Sequence, residues 1–196
     1  MKKVLIITYY WPPAGGPGVQ RWVKFVKYLR DFGIEPVIYT PQNPTYPILD
    51  PHMVDDIPKD LTVLKTKIFE PYALASLFSK EKTQKISAGI IPTKKPSPLD
   101  KLLLWIRGNL FIPDARVLWV RPSVKYLSKY ISENHIDTII TTAPPHSLHL
   151  IGLQLKEQFP ALRWIADFRD PWTTIGYHSQ LRLTKQSPPT HFANVH

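Results

Sequence analysis

The stretch TYYWPPAGGPGVQRW, residues 8–22, decides the fold. It completes a short apolar run, residues 3–9, that is typical of a buried β-strand. Prolines and three glycines, Gly15, Gly16 and Gly18, follow at once, and a helical pattern begins directly after them. A strand, a glycine-rich bend and a helix in immediate succession predict the first unit of an α/β fold.

The residues after the bend continue this pattern. Residues 18–32 have a helical apolar face made of Val19, Trp22, Val23, Val26 and Leu29. Gly33 is expected to end that helix in the left-handed conformation that glycine adopts without penalty. Residues 36–40 are predicted to form a second strand that Pro36 begins, and residues 61–66 a third.

The alternation resumes at Pro122, which is expected at the first position of a helix. Residues 138–142 and 162–166 are predicted strands, and residues 145–158 form a predicted helix between them. Alternating strands and helices favour a Rossmann-like, doubly wound parallel sheet. Right-handed crossovers then predict the strand order 3-2-1-4-5, with helices on both faces.

A long insert, about residues 70–121, separates the third and fourth strands. Helices are expected at residues 71–79 and 99–110, and the basic, proline-dotted residues 80–98 are expected to be mobile. The apolar run LLLWIRGNLF, residues 102–111, suggests peripheral contact with an anionic membrane. The nearby cations that support this hypothesis are Lys94, Lys95, Lys101 and Arg107. The alternative is a helix that covers the core, with its lysines in solvent.

The composition limits the classes of function. The 196 residues are 43% hydrophobic, which suffices for one domain with a core. The chain has no cysteine, which excludes disulfides and thiolate chemistry and suits a cytoplasmic protein. A formal charge of +10 favours phosphates or anionic lipid. Nucleic acid is not an expected partner, because the charge is spread out instead of forming a basic stripe interleaved with aromatics.

The glycine bend lies where a doubly wound sheet binds ligands, beyond the carboxyl end of the first strand. Gly15, Gly16 and Gly18 allow another group to approach the backbone closely, and the following helix directs its positive dipole end at an anion. Arg21 in the first helical turn is positioned to bind phosphate. The alternative is a tight turn without a ligand.

Two further loops are predicted to reach the same edge. After the fourth strand, TTAPPHSLH places His146 in the first turn of a helix, where a neutral, proton-accepting imidazole is favoured. His149 lies one turn later, but no third ligand is local, so no metal is expected.

After the fifth strand, IADFRDPW brings Asp167, Arg169 and Asp170 to the same edge. A carboxylate here is suited to act as a base or to hold a sugar hydroxyl. The alternative is structural: Asp170 fixes the turn before Pro171, and Asp167 pairs with Arg169.

The bend does not match the dinucleotide fingerprint. Arg21 stands where the third glycine of G-x-G-x-x-G is needed, and no carboxylate follows the second strand, VIYTPQ. A phosphate-binding Gly-Lys-Ser/Thr loop is also absent from the sequence. A nicotinamide-dependent enzyme is therefore a disfavoured alternative.

Four blocks carry a resemblance to a known family. LIITYYWPPAGGPGVQRWVKFVKYLRDFG, DTIITTAPPHSLHLIGLQLK, WIADFRDPWT and FIPDARVLWV resemble the amino-terminal domain of bacterial glycosyltransferase family 4 enzymes, which have the GT-B fold. The likeness spans about residues 1–176, apart from the insert.

The resemblance implies transfer of a sugar from a nucleotide-sugar to a glycan or lipid-linked acceptor, with retention and without metal or other cofactor. It implies that this domain binds the acceptor, and that Gly15, Gly16 and Gly18, with Arg21, lie against the donor diphosphate. It further implies that the end of the fifth strand, Asp167 to Asp170, lies near the transferred sugar. We therefore predict catalytic roles for Asp167, Asp170 and His146, and sugar or acceptor binding by Arg169 and Trp172.

The sequence departs from the family after residue 176. Residues 177–196 begin like the family's connecting helix and then lose their periodicity, and the nucleotide-sugar-binding domain with its paired-glutamate motif is missing. The expectation is therefore half of an enzyme, inactive alone. A non-catalytic carbohydrate- or lipid-binding module with the same fold remains an alternative.

Overall fold

The computed structural model describes residues 1–70 and 111–170, which form a five-stranded sheet with helices packed on it. The strands are β1 (Lys2–Ile7), β2 (Ile34–Pro41), β3 (Thr62–Thr66), β4 (Thr138–Thr142) and β5 (Arg163–Asp167). The α-helices of this part of the chain are α1 (Pro17–Leu29), α2 (Val120–Asn134) and α3 (Ser147–Gln158). Short 3-10 segments occupy Arg30–Phe32, Pro51–Asp56 and Val117–Trp119.

All five strands run parallel in the predicted order β3-β2-β1-β4-β5. β1 is central, since Val4 pairs with Pro36 of β2 on one side and with Thr138 of β4 on the other. The order of the strands reverses between β1 and β4, which is the point where such sheets bind ligands. Because parallel strands all end at one edge, the loops after β1, β4 and β5 emerge side by side.

One face of the sheet is covered by α1. The buried helix residues Val19, Trp22, Val23 and Val26 pack against Val4, Ile6 and Ile38 of the sheet. The 3-10 turn after α1 ends at Gly33, whose φ of 73° lies in the left-handed region. This confirms the predicted conformation, which is sterically free for glycine and strained for other residues.

The opposite face is covered by α2 and α3. Buried side chains of these helices pack on β1, β2 and β4, and include Val124, Leu127, Ile131, Leu148, Ile151 and Leu155. The Tyr39 ring stacks on Trp119 with centroids 5.0 Å apart, and Ser123 Oγ accepts a hydrogen bond from Tyr39 Oη at 2.8 Å. These contacts attach the start of α2 to the middle of the sheet.

Three predicted starts differ by two residues from the observed ones, each at a proline: those of β2, of α2 and of α3, which begins at Ser147 and not at Pro145. β2 begins at Ile34, so Pro36 lies inside the strand. Pairing with β3 begins only at Val37, so Pro36 lies where β2 has one neighbour and a missing N–H is tolerated. α2 begins at Val120, so Pro122 occupies its first turn, where the backbone N–H groups lack intrahelical partners in any case.

Several predictions lie outside the described residues. These are the insert helices at 71–79 and 99–110, the mobile segment 80–98, the membrane-contact run and the connector 177–196. Within residues 1–70 and 111–170, no helix combines the length and the apolar character that crossing a membrane requires.

Candidate functional site

The glycine bend after β1 is held in shape by a neighbouring loop. Ala14 forms an antiparallel bridge with Leu49, and the Gly15 N–H donates to the Ile48 carbonyl at 3.0 Å. A Cβ at Gly15 would lie 3.0 Å from Asp50 Cβ, so the two loops are in close contact. Gly16 has a φ of 108°, which strains any other residue. Gly15 and Gly16 therefore allow the bend to adopt this backbone conformation.

The amino terminus of α1 is open to an anion. Gly16 is the N-cap, so no side chain caps the helix, and its first turn contains no acidic residue. The positive end of the helix dipole is therefore not neutralised by α1 itself.

Arg169 from the loop after β5 lies directly over this helix terminus. A Cβ at Gly18 would lie 1.3 Å from Arg169 Nη1, so the absence of a side chain at Gly18 makes room for the guanidinium. Arg169 forms an ion pair with Asp170, with Nε and Oδ2 3.7 Å apart. The Arg169 and Asp170 side chains are 34% and 49% exposed, so both are accessible at the rim.

Asp167 joins three elements at the same rim. Its Oδ2 accepts hydrogen bonds from Arg21 on α1, from Thr142 Oγ1 at 2.8 Å and from Trp22 Nε1 at 3.2 Å. The Trp22 indole N–H also reaches Thr142 Oγ1 at 2.8 Å. Asp167 therefore pairs with Arg21, and the alternative pairing with Arg169 is not present. The loops after β4 and β5 meet again where the Ala143 N–H donates to the Asp167 carbonyl at 3.1 Å.

The two histidines lie beneath the loop after β5. His146 is the N-cap of α3 and is buried, with its ring centroid 6.3 Å from that of Phe168. The His149 ring lies closer, 4.0 Å from Phe168, and its Nδ1 is 2.8 Å from Thr141 Oγ1. Burial lowers the pKa of His149 to about 4, and His146 acts in the same direction while Asp167 opposes it. His149 is therefore a neutral imidazole at neutral pH.

A buried polar cluster below the rim was not predicted from the sequence. Glu70 Oε1 accepts a hydrogen bond from Tyr9 Oη at 2.5 Å and forms an ion pair with Arg116 Nη2 at 3.1 Å. The Thr45 N–H donates to Glu70 Oε2 at 2.9 Å, and the Arg116 guanidinium lies 4.8 Å from the Tyr9 ring centroid. Burial raises the pKa of Tyr9, and Glu70 adds to the increase while Arg116 opposes it. Tyr9 is therefore a hydroxyl donor throughout the physiological range.

Asp114 is a second residue that the sequence-based predictions missed. Its carboxylate accepts hydrogen bonds from the Ser147 N–H at 2.8 Å and from Ser147 Oγ at 2.9 Å. It also accepts from the Arg116 N–H at 2.8 Å. Asp114 thereby caps α3 from a distant part of the chain and fixes the position of His146. The available signal was the block FIPDARVLWV, which contains Asp114 but does not indicate its partner.

The structure thus brings together Gly18, Arg21, His146, Asp167 and Arg169. Trp172 lies outside the described residues. In residues 1–70 and 111–170, no three metal-ligating side chains are grouped so as to hold an ion.

Comparison of the chain with models of known protein families gives no match, and comparison with curated protein sequences gives no significant relative.

Proposed function

We propose that this chain is the acceptor-binding half of a retaining glycosyltransferase of family 4. In this proposal the full enzyme moves a sugar from a nucleotide-sugar to a glycan or lipid-linked acceptor on the cytoplasmic side of a membrane. A second domain, which faces the site on this chain, supplies most of the contacts to the nucleotide. The chain alone is therefore expected to transfer no sugar.

The observation that carries the proposal is the Arg169 guanidinium seated over Gly18 at the start of α1. Pro17 has no N–H and the Val19 N–H donates to the Gly16 carbonyl, so the helix terminus contributes the Gly18 N–H and the positive end of its dipole. Together with the Arg169 guanidinium, these groups form an anion-binding arrangement. A nucleotide-sugar presents a diphosphate to such a place. The negative charge on the leaving diphosphate grows during transfer, so donors that are already aimed at it lower the barrier.

The acidic residues have different roles in this proposal. Asp167 already accepts from Arg21, Thr142 and Trp22, so it holds Arg21 and the rim in position. Asp170 is about half exposed and is the carboxylate that remains available to a sugar hydroxyl. His146 is buried at the start of α3 beneath the same loop, and in this proposal it is a polar group near the transferred sugar.

Binding of inorganic pyrophosphate, measured by isothermal titration calorimetry at low salt, tests the proposal. Wild type is expected to bind, and Arg169→Met is expected to weaken binding about tenfold, because a charge-assisted hydrogen bond is lost. Gly18→Ala should weaken binding similarly, since its Cβ displaces the Arg169 guanidinium. Arg121→Gln removes the same charge from the exposed surface of α2 and should leave affinity within about twofold.

Equal affinity in Arg169→Met and Arg121→Gln would overturn the proposed anion site. Saturable binding of a nicotinamide dinucleotide, without binding of pyrophosphate or a nucleotide-sugar, would favour the dehydrogenase alternative. Binding of a glycan by a chain that binds neither pyrophosphate nor a nucleotide-sugar would favour the non-catalytic module.

A further inference from the structure

Beneath the rim, a buried chain of hydrogen bonds ends at His149. The Trp164 indole N–H donates to Thr141 Oγ1 at 2.9 Å, and Thr141 Oγ1 lies 2.8 Å from His149 Nδ1. Thr141 is fully buried and His149 is 5% exposed. The chain connects β5, β4 and α3 below the loop that holds Arg169.

The chemistry of the three groups fixes the proton positions. An indole N–H can only donate, so it occupies a lone pair of Thr141 Oγ1. The hydroxyl proton of Thr141 then needs an acceptor, and His149 Nδ1 is the one that the described residues provide. If Nδ1 accepts, a neutral imidazole carries its proton on Nε2.

The residues around His149 indicate that this chain of hydrogen bonds lowers the stability of the fold. Gly152 lies one turn after His149, and a Cβ there would lie 2.3 Å from Trp164 Nε1, so the glycine makes room for the donor. His149 Nε2 is buried and has no hydrogen-bond partner among the described residues. A leucine would fill the same space without an unpaired donor, so packing alone does not explain a histidine here.

We propose that His149 is a positioning residue: held by Thr141 with its proton on Nε2, it packs against Phe168 and sets the place of the loop that carries Arg169. The inference rests on the proposed function in one respect, since that function gives the loop a diphosphate to bind. Phe168 is 48% exposed and flanked by Asp167 and Arg169, so a shift of its ring moves both neighbours. The His149 and Phe168 rings, whose centroids are 4.0 Å apart, form the contact through which His149 positions the loop.

Nitrogen-15 NMR of the histidine rings tests the proton position without any ligand. The His149 signals are assigned by their loss in His149→Asn and recorded near neutral pH. A protonated Nε2 with an unprotonated Nδ1 is expected. An Nδ1-protonated ring, or an imidazolium, would overturn the inference.

Thr141→Val and Thr141→Ser separate positioning from simple packing. Valine keeps the shape and removes the hydroxyl, whereas serine keeps the hydroxyl. Thr141→Val is expected to shift the Phe168 signals and to weaken pyrophosphate binding about fivefold, while Thr141→Ser stays within about twofold of wild type. Unchanged Phe168 signals in a folded Thr141→Val would overturn the inference. If wild type binds no pyrophosphate, the proposed function fails, and the ring protonation and Phe168 signals still decide the role of His149.

Discussion

At the scale of single residues, the buried side chain of His149 couples folding to pH. Burial lowers its pKa to about 4, whereas an unfolded histidine titrates near 6.5. Between these values the unfolded chain binds a proton that the folded chain does not. The contribution of His149 to stability is therefore complete above about pH 6.5 and falls as the pH is lowered toward about 4.

We expect this one residue to remove about 3 kcal/mol from the free energy of unfolding between about pH 6.5 and pH 4. His149→Leu should flatten the pH dependence over that interval, because leucine binds no proton in either state. Urea unfolding at a series of pH values measures the effect. His52→Gln, at an exposed position, serves as the matched control. A His149→Leu curve parallel to that of wild type over this interval would contradict the assignment.

At the scale of elements, the packing of α3 on the sheet depends on Gly152. A Cβ there would lie 2.3 Å from Trp164 Nε1 and 2.9 Å from Thr141 Cγ2, so the helix or both side chains must move. We expect Gly152→Ala to destabilise the protein by about 1–3 kcal/mol from overpacking, although alanine favours a helix over glycine by about 1 kcal/mol. The midpoint of urea unfolding measures this balance.

Gly18→Ala is the matched control for Gly152→Ala. Its Cβ also meets an atom at very short distance, but that atom is the far end of the Arg169 side chain, which can swing away. We therefore expect Gly18→Ala to change stability by less than about 1 kcal/mol while Gly152→Ala costs more. Equal losses of stability in the two variants would contradict the conclusion that Gly152 allows α3 to approach the sheet closely.

The elements with a strong apolar period were the ones that the sequence predicted. The core face of α1 and the run in β1 follow from spacing alone, and the strand order follows from their alternation. The segment Pro51–Asp56 has no such period and was not predicted. Glu70 and Arg116 were missed because their meeting with Tyr9 joins residues 61 and 107 positions apart, which no local pattern reveals.

The candidate site was predictable only in part, for a related reason. The topology places the loops after β1, β4 and β5 at one edge, and Gly18 and His146 each lie next to the loop after β5, through Arg169 and Phe168. The partner of Arg21 was not predictable, because a cation at that position can face a ligand or a carboxylate. The structure gives it Asp167, and the cation over the helix terminus is Arg169.

At the scale of the whole molecule, Glu70 and Arg116 connect distant parts of the chain. Glu70 precedes residues 71–110 and Arg116 follows them, and both meet Tyr9 just beyond the end of β1. The Arg116 and Glu70 side chains are 12% and 8% exposed, so solvent screens their attraction little. Burial lowers the pKa of Arg116, but Tyr9 and Glu70 outweigh that effect and keep the guanidinium charged.

Removing both charges should therefore cost less than the sum of the two single losses. We expect Glu70→Gln and Arg116→Met each to lower the free energy of unfolding by about 3 kcal/mol, because each leaves the partner charge buried without its counterion. The double variant should lose less than the sum of the two, with a coupling of about 1–3 kcal/mol. Urea unfolding of wild type and the three variants closes the cycle, and the exposed pair Lys129 and Glu133 provides a matched cycle with little coupling. Additive losses at Glu70 and Arg116 would mean that the two charges do not act as a pair, and that the parts of the chain on either side of residues 71–110 are held to the sheet independently.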